Sequence, residues 1–129
     1  MRKLNIAMPR YSSMVGSYHG MIILCTYPDK KVAKSEAKRL IELRLAACAS
    51  ILRADSIFTW KGSIEEVPEH MAVFKTSADA AKELCAEIQQ GHPYDTPEII
   101  QVRPHSINKS YLGWLVNSTG NLRPNSALD

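Results

Sequence analysis

The segment Gly91-His92-Pro93-Tyr94-Asp95-Thr96-Pro97-Glu98 places an imidazole, a phenol and two carboxylates among two prolines. The prolines fix their own φ and push His92 and Thr96 toward extended geometry. The result is a stiff loop that holds His92 and Tyr94, and donors held in place suit a binding site. His92 has two readings. It can ligate a soft metal beside a thiolate, or it can cap the last carbonyls of a helix that Gly91 ends. Glu98 can accept a proton or pair with a lysine.

Cys25 is the thiol candidate. It lies near the end of the apolar run Met21-Ile22-Ile23-Leu24-Cys25-Thr26, where a cysteine is either a small hydrophobe or, as thiolate, a soft-metal ligand. Cys48 and Cys85 read as packing residues, and His19, His70 and His105 as surface residues. No pair has the Cys-x-x-Cys or His-x-x-x-His spacing of a zinc site. Three cysteines make an odd count, which argues against a disulfide framework and for a reducing, cytoplasmic compartment. Trp60, Lys75, Tyr94, Glu98, Tyr111 and Trp114 complete the polar-aromatic set. Trp60 and Tyr111 suit core or interface anchoring, and Lys75 reaches either a cleft or solvent. Dinucleotide, Walker and nucleophile-elbow motifs are absent, and no Ser-His-Asp set is identifiable. The chain is read as a binding protein and not as an enzyme.

These residues need a scaffold. A chain of 129 residues fits one domain with a sizeable core. The net charge of +3 is a property of one end: Arg2, Lys3 and Arg10 lie in residues 1–19, which carry no acid. The other 13 basic residues balance the 13 acidic ones. Nothing in such a body argues for a nucleic-acid groove, which needs clustered Lys and Arg. No apolar run approaches the roughly 20 residues of a membrane-spanning helix. Residues 1–19 are read as a disordered, solvated extension, 20–119 as the domain and 120–129 as a loose tail.

The run Met21–Thr26 predicts a buried central strand. Asp29 then caps a helix with Ala33, Ala37, Leu40 and Ile41 on its inner face, running to about Leu45. Ala47–Trp60 predicts one long strand with a bend or bulge at Arg53-Ala54-Asp55. Lys61-Gly62 is a hairpin turn, and Ser63–Thr76 is the returning arm, with Pro68 at an edge. Ser77 caps a second helix, with Ala81, Leu84 and Ile88 inward and Gly91 at its end. Ile99–Val102 is a strand. Ser106–Ser118 is a last helix with Tyr111, Leu112 and Leu115 on its apolar side.

This order is α+β: the ferredoxin-like βαββαβ sandwich, one four-stranded sheet with two helices on one face, plus an extra C-terminal helix. The hairpin strands outrun the other two, and their surplus must pair with something; another subunit is the natural partner. In this topology Cys25 and His92 are not evidently adjacent within one chain, and a subunit boundary is their expected meeting place.

Six collinear segments resemble one family: Ile23-Leu24-Cys25-Thr26-Tyr27-Pro28-Asp29, Leu45-Ala46-Ala47-Cys48-Ala49, Phe58-Thr59-Trp60-Lys61-Gly62, Phe74-Lys75-Thr76, His92-Pro93-Tyr94-Asp95-Thr96-Pro97-Glu98 and Tyr111-Leu112-Gly113-Trp114-Leu115. Over about residues 21–118 the chain resembles the CutA divalent-cation tolerance proteins. The resemblance implies a tight homotrimer in which long strands pair between subunits, and hence high stability. It implies copper or another divalent metal as ligand, held by Cys25 and His92. The family's first histidine falls on Gly91, which has no ligating side chain. The alternative is a PII-like signalling or scaffold module that binds a small ligand or partner in an inter-subunit cleft lined by Trp60, Lys75, Tyr94, Glu98 and Tyr111.

Overall fold

The computed structural model describes residues 19–120; the readings made for 1–18 and 121–129 lie outside the described residues. The elements are β1 Gly20–Tyr27, α1 Lys30–Glu42, β2 Cys48–Trp60, β3 Ser63–Ser77, α2 Ala78–Gly91, β4 Ile99–Val102 and α3 Lys109–Asn117. Both predicted helix caps form. Asp29 accepts from the Val32 N–H at 2.9 Å, and the Ser77 hydroxyl accepts from the Ala80 N–H at 3.3 Å. Each satisfies a donor that the first helical turn leaves orphaned.

The sheet is antiparallel throughout, in the order β2-β3-β1-β4. Alternation sorts its side chains. Ile23, Cys25 and Tyr27 of β1 and Ala72 and Phe74 of β3 join Ala33, Ala37 and Leu40 of α1 and Leu84 and Ile88 of α2 in one core. The opposite sheet face carries Leu24, Thr26, Met71, Val73 and Lys75. Gly20 lies where a Cβ would run into the side chains of Ile107 and Leu115, so α3 and its lead-in dock onto the start of β1.

Three expectations change. Ile41 is exposed: the buried stripe of α1 runs through Ala33, Ala37 and Leu40, and Ile41 falls off its edge. The last helix begins at Lys109, not Ser106, because Ile107 is committed to packing over Gly20. There is no bulge at Arg53–Asp55. The hairpin register runs unbroken from Cys48 opposite Lys75 to Trp60 opposite Ser63. The turn fixes that register, with φ of 51° at Lys61 and 84° at Gly62, as a tight two-residue hairpin requires. Pro68 is accommodated because β1 pairs with β3 only as far as His70, so its missing N–H leaves no bond to β1 undone.

Candidate functional site

Loop 92–98 must carry the chain from the end of α2 to the start of β4, where Ile99 pairs with Cys25. That path brings His92 onto the end of β1. The Tyr94 N–H donates to His92 Nδ1 at 3.1 Å, so Nδ1 is the unprotonated nitrogen. Nε2 therefore carries the hydrogen and donates to the Thr26 carbonyl at 2.8 Å. The imidazole also stacks on Tyr27, with centroids 4.5 Å apart and planes 13° from parallel. Burial holds its pKa below the ordinary histidine value, which favours this neutral form. The end of β1 and the start of the loop thus meet within one chain, and no subunit boundary is needed to join them.

Cys25 is fully buried on the helix-covered face, with its thiol directed at the Thr26 carbonyl, 3.8 Å away. Burial pushes the thiol up to about 12, so the thiolate that a soft metal needs is strongly disfavoured. Tyr27 shares that face. Its buried hydroxyl has no hydrogen-bond partner among the described residues. The Cys25 thiol is close enough to affect its ionisation without meeting hydrogen-bond geometry. Burial raises the Tyr27 phenol as well. Among the described residues no group of three or more His, Cys, Asp or Glu gathers as a metal site.

Position 91 has a physical reason for glycine. A Cβ there would press on the Arg39 guanidinium and the Glu36 carboxylate. Arg39 bridges Glu36 at 3.0 Å and Glu87 at 2.7 Å, tying α1 to α2. An imidazole at 91 would have to displace that bridge.

Beside this packed corner lies a cleft of about 830 Å³, between loop 92–98 and the outer half of the hairpin. Trp60, Tyr94 and Glu98 all line it. The Tyr94 hydroxyl donates to Glu69 Oε2 at 2.8 Å, and burial together with that carboxylate pushes the phenol pKa up. Lys75 and Tyr111 are elsewhere. Lys75 donates to the Ser50 hydroxyl and, at 3.3 Å, to the Val73 carbonyl. From Glu69 to Lys75 the strand advances roughly 20 Å, at about 3.3 Å per residue. Tyr111 tilts against Trp114 with centroids 5.4 Å apart. Burial and the neighbouring Cys48 push its phenol up to about 12.

Sequence reasoning missed Glu69, Phe58 and Thr26 in the cleft wall. A signal for two of them exists. Once Lys61-Gly62 fixes the register, period two puts Phe58, Trp60, Glu65 and Glu69 on one face.

Residues 21–118 match the family model described as CutA1 divalent ion tolerance protein. The divalent-cation tolerance protein CutA of Pyrococcus horikoshii is 38% identical over 99 residues, spanning 77% of this chain and 97% of that protein. The crystal structure of CutA1 from the same organism superposes with a TM-score of 0.76 at 37% identity, covering 78% of this chain and 99% of that one. The protein described as the periplasmic divalent cation tolerance protein CutA of Archaeoglobus fulgidus gives a TM-score of 0.72 at 34% identity, covering 74% and 94%.

Proposed function

We propose, from the premise that this chain belongs to the CutA1 divalent ion tolerance protein family, that it serves cation tolerance as a homotrimer whose working site is the cleft beside Tyr94. The observation that carries this reading is the convergence of Trp60, Tyr94 and Glu98 around buried Glu69, while the Cys25 sulfur is sealed in the core. The protein is then a PII-like sensing or scaffold module that binds a small ligand.

The strand order β2-β3-β1-β4 supports a ferredoxin-like assignment. The hairpin supports the trimer. Beyond His70, β3 has no β1 partner, and the same arm exposes Ile57, Trp60 and Ile64, the last at 74%. Unpaired edges and apolar side chains of this kind are covered by pairing with another copy. In that assembly Lys75 and Tyr111 would reach a neighbouring copy's cleft and not their own. The unpaired cysteines Cys25, Cys48 and Cys85 support a reducing, cytoplasmic location.

Copper at Cys25 and His92 is the second reading, and the observation favouring it is that both residues lie at the end of β1. As placed, they do not fit the ion. Binding requires Cys25 to lose its proton against burial and His92 to give up a bond to Thr26 or Tyr94. Native mass spectrometry of the reduced chain, titrated with Cu(I) against a competing chelator, decides between the readings. The expected species is three copies of the 14.4 kDa chain without stoichiometric copper. Copper uptake that disappears in Cys25→Ser would move the site to β1. A monomer at micromolar concentration would remove the trimer.

A further inference from the structure

The corner where α1, α2 and the end of β1 meet holds a cation of its own. We propose that Arg39 takes the place of a bound cation there: it joins the Glu36 and Glu87 carboxylates, fills the space beside Gly91 and so keeps metal ions out. Glu36 and Arg39 stand on α1, and Glu87 and Gly91 on α2. The corner is therefore built within one copy, and its role is independent of what fills the cleft.

The guanidinium grips Glu36 at two points, Nε donating to Oε2 at 3.1 Å and Nη2 to Oε1 at 3.0 Å. Nη1 donates to Glu87 Oε1 at 2.7 Å, and Nη2 to the Glu87 carbonyl at 3.3 Å. The side-chain direction of residue 91 aims at the same group. A Cβ on Gly91 would lie 2.7 Å from Arg39 Nη2 and 3.0 Å from Glu36 Oε1. Carboxylates from two helices with an imidazole directed between them would be a donor set for zinc. Without a side chain at position 91 the corner is one donor short, and no group of three His, Cys, Asp or Glu gathers among the described residues. Glu36 also acts on the ionisation of Cys25, Tyr27 and His92, so the clamp stands beside the end of β1.

A guanidinium does not step aside by losing its proton. Glu36 first, and Glu87 after it, push the Arg39 pKa above even the ordinary arginine value. An entering metal ion would meet this fixed like charge at the carboxylates it needs. It would also have to break a bidentate pair, the strongest form of carboxylate contact. The Glu36 side chain is only 16% exposed, which leaves little solvent to screen the repulsion. A lysine would keep the charge and lose the fork, so substitution can separate the two.

The test titrates the full chain with Zn(II) and counts ions per copy by native mass spectrometry, with Gly91→His supplying the missing imidazole. Gly91→His alone should bind no more zinc than the parent chain. Gly91→His with Arg39→Ala should gain one ion per copy, at an affinity about tenfold or more above the parent. The same ion should raise that variant's thermal midpoint. Gly91→His with Arg39→Lys should gain none, because the charge remains. Arg39→Met, which keeps an unbranched apolar stem, serves if Arg39→Ala fails to fold. Adding Glu36→Gln to the gaining variant should abolish the gain. Zinc gained while position 39 keeps a positive charge would overturn the exclusion. So would a folded double variant that gains nothing, or a gain that Glu36→Gln leaves unchanged.

Discussion

The end of β1 and the adjoining cleft share loop 92–98 but use it in opposite ways. At His92 every polar atom of the ring is committed, one nitrogen to the Thr26 carbonyl and the other to the Tyr94 N–H. Its flat face is covered by Tyr27. Two residues later, Tyr94 turns the same loop toward an open cleft, where its hydroxyl donates to the Glu69 carboxylate. The difference teaches that ligand-type residues do not by themselves mark a site. Cys25 and His92 have the chemistry of metal ligands, but their geometry is that of a fastener. Tyr94 is a cleft residue on the sequence alone, whereas Glu69 carries no sequence signal of its own, and the two meet in the cleft wall.

The contrast can be broken at the fastener first. His92→Ala removes two hydrogen bonds and a stacked ring and strands a carbonyl and an N–H, so chemical denaturation should show a loss of about 2–3 kcal/mol. A loss below about 0.5 kcal/mol would mean the imidazole is idle and free to ligate. Cys25→Ser comes next. It places a stronger hydrogen-bonding group in a sealed apolar position and should cost about 1–2 kcal/mol. In the unmutated protein a thiol reagent under native conditions should modify Cys25 far more slowly than Cys48 or Cys85, which are only partly buried. Equal rates would show that β1 opens readily.

The smallest effect is in the pH dependence. Burial lowers the His92 pKa below its ordinary 6.5, so on acidification the unfolded chain binds this proton before the folded one does. The stability linked to His92 is therefore fully present above pH 6.5 and is lost as pH falls through the window below it. Comparing denaturation midpoints across that window with those of His92→Asn isolates the contribution. Identical slopes would mean that the imidazole titrates as if solvated.

Much of the scaffold was legible because its causes are local. Asp29 and Ser77 cap helices through their own side chains. Ile99–Val102 is bounded by prolines at 97 and 104, and Lys61-Gly62 adopts the positive φ angles of a two-residue turn. Polar Arg53 and Asp55 do not interrupt β2 with a bulge, because at the end of β1 and beyond it the arm can turn them to solvent without breaking the hairpin register. Of the cleft residues expected from the sequence, Trp60, Tyr94 and Glu98 converge in one chain, whereas Lys75 and Tyr111 stand at the far end of the sheet.

The sequence by itself determined the element order, the long hairpin and the stiffness of loop 92–98, since capping, alternation and proline geometry act between near neighbours. Only the tertiary structure decided that His92 closes onto Thr26 and that Glu69 is left facing the cleft. Both depend on where α2 delivers the loop against β1 and on how far β3 outruns it. That is a matter of packing between residues distant in the chain, to which local pattern is blind.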